Sequence, residues 1–256
     1  LDFATLGKDE AFLPAQLQLA EKLGFAGINV TYPYKQAVIP HLHELAPSAA
    51  RVGAVNTVQF ARGKRIGYNT DVTGFAESLR AGLPQATLRT VLQLGAGGAG
   101  AATAMALLEL GTHRLLISDR ELYRANELVQ RLGANFGPDR AAATQDPVSA
   151  LRESDGLVNA TPMGMLGNPE APVDTSVLQP RQWVADIVYF PLETRLLREA
   201  HLRGCPTLNG SGMAVHQAAA AFEIFTGRVP DVARMLRSFM DFPVAIDGVH
   251  AIPMPS

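Results

Sequence analysis

Residues 90–100, TVLQLGAGGAG, join a short apolar segment to a glycine-rich loop, and the stretch that follows, AATAMALLELG, is rich in alanine and leucine. The apolar segment predicts a buried strand, and the stretch after the loop predicts a helix. Gly95, Gly97 and Gly100 match the spacing G-x-G-x-x-G, which is weak by itself because a chain with 23 glycines contains some such spacings by chance. Between a strand and a helix, however, this spacing indicates a loop that binds a dinucleotide.

The glycines of this loop have separate physical roles. Gly95 permits the tight turn, Gly97 lets the backbone approach a pyrophosphate, and Gly100 allows the helix to pack closely on the strand. The free N–H groups at the start of the helix then favour the phosphate charge. A tight turn without any ligand is the alternative interpretation. The loop residues that we expect beside a dinucleotide are Gly95, Ala96, Gly97, Gly98 and Ala99.

Asp119 lies at the end of the next predicted strand, HRLLISDR (113–120). A carboxylate there accepts hydrogen bonds from the ribose 2′-hydroxyl of NAD and repels the 2′-phosphate of NADP. Arg120 and Arg124 follow it, and an arginine at this place can hold that phosphate. Because an acid at the strand end usually decides the choice, NAD is favoured and NADP is the alternative. Asp119 is also suited to cap the next helix, and the two roles are compatible.

The rest of the chain alternates between apolar strands and helical patterns. Helices are predicted at 11–24, 35–45, 72–83, 101–111, 121–132, 213–227 and 232–239. Strands are predicted at 25–33, 54–59, 65–68, 90–95, 113–120, 156–164 and 183–191, with a hairpin turn at 62–64. Alternating strands and helices indicate a parallel sheet. The predicted fold class is therefore α/β: an N-terminal α/β unit and, after the polar connection 83–90, a Rossmann-type doubly wound unit.

Composition excludes several classes of function. The 256 residues are 47% hydrophobic and 18% charged, which suits one large domain or two modest ones. A net charge of −2 gives no electrostatic footprint for nucleic acid or an anionic membrane, and no apolar run is long enough to span a bilayer. Cys205 is the single cysteine, so an internal disulfide is impossible and a reducing, cytoplasmic location is expected. His41 and His43 lack helical metal-ligand spacing, and we expect no metal site.

Lys35 and Asp71 are the candidate acid–base groups of the N-terminal unit. Lys35 follows a predicted strand in NVTYPYKQ (29–36), which places it at a strand end, where ligands gather in open α/β sheets. Asp71 follows the predicted hairpin in GYNTD (67–71). A lysine can take the proton of an alcohol that loses a hydride, and a nearby carboxylate can orient that lysine. A solvated lysine at a helix start and ordinary turn chemistry around Asp71 are the alternatives.

Seven motifs occur in the order and spacing found in shikimate dehydrogenases, and the resemblance covers nearly the whole chain. They are NVTYPYK (29–35), GAVNTV (53–58), GYNTD (67–71), GAGGAG (95–100), NATPMG (159–164), DIVYFPLETRLL (186–197) and GMAVHQA (212–218). The chain looks most like the NAD-using quinate/shikimate dehydrogenase branch. In that family a Ser-x-Ser/Thr motif near the N-terminus binds the substrate carboxylate. The printed sequence starts where the family's second strand would begin, so it contains no counterpart of that motif or of the first strand.

The resemblance implies roles residue by residue. Lys35 and Asp71 correspond to the catalytic pair, and Asn69 with Thr70 forms the turn that aims Asp71. The implied substrate-binding residues are Thr31, Lys35, Asn56, Asp71, Tyr189 and Gln217. Beside the glycine loop, the implied dinucleotide-binding residues are Asp119, Arg124, Thr161, Val188, Gly210 and Met213. His216, next to Gln217, is expected to pack or line the cleft rather than act as a base.

The resemblance also implies an activity and a division of the chain. We expect an oxidoreductase that reversibly oxidises the C3 hydroxyl of shikimate or quinate with NAD, acting as a monomer or homodimer. The implied catalytic domain comprises 1–73 and 212–256, and the implied dinucleotide-binding domain comprises 74–211. The alternatives are an NADP-linked biosynthetic shikimate dehydrogenase, an enzyme for an amino-substituted shikimate or quinate, and a non-catalytic dinucleotide sensor.

Overall fold

The structure is a computed structural model that describes residues 12–241. Two β-sheets with flanking helices make up the described chain, one with four strands and one with six. The elements that precede the six-stranded sheet are α1 (Leu13–Lys22), β1 (Gly27–Asn29), β2 (Glu44–Leu45), α2 (Pro47–Val52), β3 (Thr57–Ala61), β4 (Lys64–Tyr68) and α3 (Asp71–Gly82). The elements that follow are β5 (Thr90–Leu94), α4 (Gly98–Glu109), β6 (Arg114–Ser118), α5 (Leu122–Phe136), β7 (Ala141–Ala143), α6 (Pro147–Glu153), β8 (Gly156–Asn159), β9 (Trp183–Asp186), α7 (Arg195–Leu202), β10 (Thr207–Leu208), α8 (Ser211–Thr226) and α9 (Val232–Met240).

The four-stranded sheet has the order β1-β3-β4-β2. Strands β3 and β4 form the predicted hairpin, and β1 pairs antiparallel with β3. The turn of the hairpin is Arg62-Gly63, with φ angles of 52° and 72°. Such left-handed values suit the tight two-residue hairpin turn, in which asparagine or glycine usually stands. The end of β4 at Tyr68 leads directly into α3, and this brings Asp71 to the first position of that helix.

The six-stranded sheet is parallel throughout, in the order β10-β9-β8-β5-β6-β7. From β5 the chain runs outward to β6 and β7, then returns to β8 on the other side of β5. The point where the order reverses therefore lies between β5 and β8, and ligands of doubly wound sheets bind beyond the carboxyl ends of the strands at this point. The glycine-rich loop follows β5 directly. The predicted α/β class with a Rossmann-type unit is confirmed.

Helix α4 lies between this sheet and the N-terminal unit. Every residue from Gly100 to Leu108 is buried, as expected of a helix that is apolar on all sides. Its other neighbours include α2 and α3, and α3 carries Asp71.

Helix α8 returns the chain to the N-terminal unit. It packs so closely on α3 that a Cβ at Gly74 would lie 2.8 Å from the carbonyl oxygen of Met213. The Gln59 side chain on β3 also donates a hydrogen bond of 2.6 Å to the carbonyl of Ile224 on α8. The bond from Gln59 supports the implied assignment of α8 to the catalytic domain, whereas most of α3 lies in the implied dinucleotide-binding domain, so the domain bounds stay a prediction.

The helix predicted at 35–45 is wrong. Residues 39–41 form a single 3-10 turn, and 44–45 form strand β2. Pro40 has no N–H to donate within a helix. The carbonyl of Lys35 accepts a hydrogen bond of 2.7 Å from the amide of Val55 in a neighbouring loop, and the amide of Ile39, which would bond Lys35 in an α-helix, bonds the carbonyl of Gln36 instead. The strands predicted at 25–33, 156–164 and 183–191 are shorter than expected, at 27–29, 156–159 and 183–186.

Several short elements carried no clear sequence signal. No sequence pattern predicts β2, β7 and β10, which have two or three residues each, or α2, α6 and α7. Among residues 12–241, no helix is long and apolar enough to cross a membrane.

Candidate active site

Lys35 and Asp71 meet in the structure. The Nζ of Lys35 lies 2.6 Å from the Oδ2 of Asp71, and their side chains are 16% and 6% exposed. Lys35 stands in the loop between β1 and β2, and Asp71 opens α3, so two separate turns of the chain converge at this point. An ion pair that retains some solvent contact can exchange protons with a substrate hydroxyl placed beside it.

Asn56 holds the other oxygen of the carboxylate. Its Nδ2 donates to Asp71 Oδ1 at 2.9 Å and to Thr70 Oγ1 at 2.8 Å. Its Oδ1 accepts from the backbone amide of Thr70 at 2.8 Å and from Thr57 Oγ1 at 3.1 Å. Because all polar atoms of this buried amide are engaged, Asn56 fixes the direction in which Asp71 faces.

Asn69 shapes the turn that presents Asp71. Its Oδ1 accepts from the amides of Asp71 and Val72 at 3.1 and 3.3 Å, and its Nδ2 donates to the carbonyl of Ala54 at 2.9 Å. The side chain therefore satisfies free amides at the start of α3, as an N-terminal cap does. The predicted turn function of Asn69 fits this geometry.

Gln217 reaches the same cluster from α8. Its Oε1 lies 3.4 Å from Asn56 Nδ2 and 3.5 Å from Thr70 Oγ1. His216 beside it is half-buried. Two implied substrate residues lie apart from these contacts. Thr31 is exposed in the turn that precedes Lys35, and the ring of Tyr189 packs against Phe190 and Phe239.

The glycine loop has the shape required to receive a phosphate. Gly95 has a φ of 100°, and a Cβ at Gly100 would collide with the carbonyl oxygen of Gly95. A Cβ at Gly97, in contrast, would meet nothing within 4 Å, so the backbone is bare on that side. The first amides of α4 have no acceptor within the helix and point toward this open face. These residues fit a dinucleotide pyrophosphate.

The loop is held from below by Gln93, a buried residue whose role the sequence analysis missed. Its Nε2 donates to the carbonyls of Gly95 and Gly100 at 2.9 and 2.8 Å, and its Oε1 accepts from Thr103 at 2.8 Å. A polar residue inside the apolar run TVLQL was the available signal.

Asp119 also contacts the loop. Its Oδ2 accepts from the amide of Ala96 at 2.7 Å, and its Oδ1 accepts from the amide of Glu121 at 3.0 Å. The second bond forms a turn ahead of α5 and does not cap it, so the predicted capping role is wrong: the N-cap residue is Glu121, and no side chain caps this helix. Each carboxylate oxygen has a further lone pair, so Asp119 can still accept hydrogen bonds from a ribose. Arg124 donates to the hydroxyl of Tyr123 at 3.2 Å and lies over that ring on the surface.

Three of the other implied dinucleotide residues, Thr161, Val188 and Gly210, lie on loops at the same sheet edge, and Met213 lies on α8. A Cβ at Gly95 would lie 3.0 Å from the methyl group of Thr161, so the loop after β8 borders the glycine loop. The amide of Gly210 donates to the carbonyl of Val188 at 3.1 Å, which joins the start of α8 to the loop after β9. Met213 is buried in the core beneath them.

The two halves of the site are in contact. A Cβ at Gly98 in the first turn of α4 would lie 3.1 Å from the Cβ of Lys35. The ion pair and the phosphate-binding loop therefore belong to one cleft. Among residues 12–241 there is no group of three or more His, Cys, Asp or Glu side chains that could hold a metal ion.

The parallel sheet carries the glycine-rich loop, and the α/β unit beside it presents a lysine–carboxylate pair. This is the architecture of a two-domain dinucleotide-binding protein. Residues 3–58 match the shikimate dehydrogenase substrate binding domain, and residues 210–238 match the shikimate 5′-dehydrogenase C-terminal domain.

Relatives with established names agree with these matches. The chain is 50% identical to a shikimate dehydrogenase (NADP(+)) of Streptomyces avermitilis, over 92% of this chain and 82% of that one. It is 48% identical to a quinate/shikimate dehydrogenase (NAD(+)) of Corynebacterium efficiens, over 88% and 80%. The structure of quinate dehydrogenase from Corynebacterium glutamicum in complex with NAD superposes with a TM-score of 0.84 at 44% identity, covering 91% of this chain and 83% of that one. The chain belongs to the shikimate dehydrogenase family.

Proposed function

We propose that this chain is an NAD-linked dehydrogenase that oxidises the C3 hydroxyl of shikimate or quinate to the ketone, reversibly. The observation that carries the proposal is the Lys35–Asp71 pair, 2.6 Å apart, beside the first turn of α4. The family consists of dehydrogenases that act on CH–OH groups with NAD or NADP, and named relatives use each dinucleotide. The finer choices of acid and dinucleotide rest on the residues of this chain.

The acid–base step belongs to Lys35 and Asp71. As the carbinol carbon loses its hydride, the ε-amine of Lys35 takes the hydroxyl proton, and in the reverse direction the ammonium returns it to the ketone oxygen. Asp71 accepts a hydrogen bond from the same hydroxyl and holds the ammonium in place. Asn56 keeps Asp71 in that orientation through its 2.9 Å hydrogen bond.

Further residues orient the ring and hold the dinucleotide. Thr31, Gln217 and Tyr189 are proposed to contact the ring hydroxyls and the wall of the cleft. The glycine loop and the start of α4 would hold the pyrophosphate, and Thr161 with Val188 would border the nicotinamide. The bound dinucleotide supplies the hydride acceptor that no side chain of the chain can provide.

Asp119 supports NAD over NADP. Its carboxylate lies at the end of β6 and bonds the amide of Ala96, so a 2′-phosphate at this place would meet a fixed negative charge. Arg124 on the surface supports the alternative of an NADP-linked enzyme. We expect Asp119→Ser to raise the ratio of kcat/KM with NADP⁺ to kcat/KM with NAD⁺ about tenfold, because removing a repulsion of roughly 1.4 kcal/mol changes a ratio by that factor. An unchanged ratio would remove Asp119 from dinucleotide selection.

The test of the proposed function is the initial rate with quinate and with shikimate, each paired with NAD⁺ and with NADP⁺. Activity with NAD⁺ on either acid is the expected result, and the ratio between acids identifies the branch. Activity with NADP⁺ alone would favour the biosynthetic alternative. Turnover of an amino-substituted shikimate or quinate, without turnover of shikimate or quinate itself, would favour an enzyme for the amino-substituted acid. A folded protein that binds a dinucleotide but oxidises none of these acids would favour the sensor.

A further inference from the structure

One buried carboxylate joins the loops that follow β8 and β9. Asp186, the last residue of β9, is 1% exposed. Its Oδ1 accepts hydrogen bonds from Asn159 Nδ2 at 2.9 Å and from the amide of Val188 at 3.0 Å. Its Oδ2 accepts from Thr194 Oγ1 at 2.7 Å. The donors come from the end of β8, from the loop after β9, and from the residue that precedes α7.

Asn159 extends this network into the loop after β8. Its Oδ1 accepts from both the amide and the hydroxyl of Thr161, at 3.0 and 2.7 Å. Its Nδ2 also donates to the carbonyl of Met163 at 2.9 Å, and the amide of Met163 donates to the Thr161 hydroxyl at 3.1 Å. The Thr161 hydroxyl is therefore committed to the loop itself, and the loop conformation depends on Asn159.

Thr194 extends the network in the other direction. Its hydroxyl accepts from the amide of Leu197 at 3.3 Å and so caps α7. Its methyl group would lie 3.0 Å from a Cβ placed at Gly164, so it also packs against the loop after β8. One side chain thus touches both loops and the helix.

Asp186 has no ion-pair partner within residues 12–241. The nearby arginines Arg195 and Arg198 pair instead with Glu170 and Glu193 on the surface. Burial raises the pKa of the Asp186 carboxyl to about 6, against the hydrogen bonds from Thr194, Val188 and Asn159, which lower it. Burying such a group without a cation costs stability, and a neutral asparagine of the same shape would avoid that cost while it still accepts hydrogen bonds. Stability alone therefore does not account for a carboxylate at this position.

We propose that Asp186 is a positioning residue that fixes the loop 160–164 and the loop 187–194 relative to each other, and thereby sets the wall of the dinucleotide site next to Gly95. The amide of Val188 donates a hydrogen bond to Asp186 itself. Thr161 donates to Asn159, which in turn donates to Asp186. Any displacement of either loop changes the surface that borders the glycine loop. The catalytic consequence rests on the proposed function, whereas the effect on loop order and dinucleotide binding does not.

The test uses Thr194→Val, which removes the hydroxyl and keeps the shape, with Thr194→Ser as the conservative variant and Asp186→Asn as the direct change. Asp155→Asn is the matched control, because Asp155 is also buried and accepts a 2.8 Å bond from the amide of Thr90, but at the opposite, amino end of the sheet. Hydrogen–deuterium exchange of peptides covering 160–164 and 187–194 reports loop order without ligand. Isothermal titration calorimetry with NAD⁺ and with NADP⁺ reports dinucleotide affinity.

We expect faster exchange in both loops, and a dinucleotide Kd raised about tenfold, for Thr194→Val and Asp186→Asn. Thr194→Val loses the bond to Asp186 and the bond from the amide of Leu197, and Asp186→Asn loses one acceptor oxygen of the network. Thr194→Ser and Asp155→Asn should remain within about twofold of the parent in Kd. In turnover, the KM for the dinucleotide should rise more than the KM for the acid.

Unchanged exchange and unchanged Kd in folded Thr194→Val would overturn the proposal, and so would an equal loss in Asp155→Asn. If Asp186→Asn does not fold, the comparison of Thr194→Val with Thr194→Ser alone tests the proposal. A parent protein that binds a dinucleotide without oxidising either acid would refute the proposed function and leave this test intact. If the parent binds neither dinucleotide, exchange in the two loops decides.

Discussion

A carboxylate buried without a cation makes folding stability depend on pH, and Asp186 is such a group as far as the described residues 12–241 show. Its pKa is raised from 3.8 to about 6 by burial, so the folded chain binds a proton more readily than the unfolded chain between these values. The stability that protonated Asp186 provides is therefore fully present below about pH 4 and is lost as the pH rises through 6. A shift of this size corresponds to roughly 3 kcal/mol.

Asp186→Asn should remove that dependence. Its free energy of unfolding relative to the parent is expected to rise by up to roughly 3 kcal/mol between pH 4 and pH 7, measured by urea denaturation at a series of pH values. Subtracting the parent curve cancels the opposite trends of carboxyls such as Glu21, whose pKa is lowered by its hydrogen bond with Arg65. A difference that stays flat over this range would mean that Asp186 is not a buried titrating group in the folded protein.

Some residues of the candidate site can be predicted from sequence motifs, and others cannot. Lys35, Asn56 and Asp71 were placed in one site because they lie in separated motifs of a family, and the geometry joins them within 2.9 Å. Gln93 and Asp186 were not given roles, although both lie within quoted motifs or strands. A polar residue in a buried strand signals a hydrogen-bonded partner, but the partner is fixed only by the packing of loops that are distant in sequence.

At the scale of elements, helix α9 contacts the loop after β9 through one ring. The Phe239 ring stacks on Phe190, with centroids 5.8 Å apart, and meets Tyr189 edge-on at 6.3 Å. Tyr189 and Phe190 are themselves 5.3 Å apart in an edge arrangement. Three aromatic side chains thus join helix α9 to the loop that carries a proposed substrate-lining residue.

Phe239→Ala should remove the ring contact that holds Tyr189 against α9. We expect the KM for the acid to rise about three- to tenfold, since an aromatic pair contributes roughly 0.5–1.5 kcal/mol, while the Kd of the dinucleotide changes less than about twofold. Met240→Ala is the control, because Met240 is the next residue on α9 and is exposed. Steady-state kinetics of both variants provide the comparison. Equal effects from the two changes would show that the ring contact has no part in substrate binding.

Sequence patterns predict an element well where the hydrophobic pattern extends over several residues and depends on the local sequence alone. The bounds of β5, α4, α8 and α9 agree with the sequence patterns to within a few residues. It failed at 35–45, where apolar residues at helical spacing belong to turns that are bonded to Val55 and packed under the hairpin. Short elements such as β7 and β10 exist because neighbouring strands pair with them, and their own residues give no sign of this.

At the scale of the whole molecule, α2 joins the first unit to α4 and α5 of the second. Arg131 on α5 donates a 2.8 Å hydrogen bond to the carbonyl of Val52 at the end of α2. Arg51 on the same helix pairs with Glu109 of α4 at 2.9 Å. These contacts, together with the packing of Gly98 against Lys35, hold the phosphate-binding loop and the ion pair on facing walls of one cleft. No pattern in the sequence specifies this relative placement.

The central claim is that Lys35 transfers the proton of the substrate hydroxyl, and the most direct test is kcat of Lys35→Met with the better acid and dinucleotide. Lys64→Met is the matched control, because Lys64 also pairs with a carboxylate, that of Glu44, but on the exposed hairpin. We predict a fall in kcat of about 10²- to 10⁴-fold for Lys35→Met, with the dinucleotide Kd within about twofold of the parent and the control unchanged. An unchanged kcat in a folded Lys35→Met protein would contradict the account and place the acid–base group elsewhere.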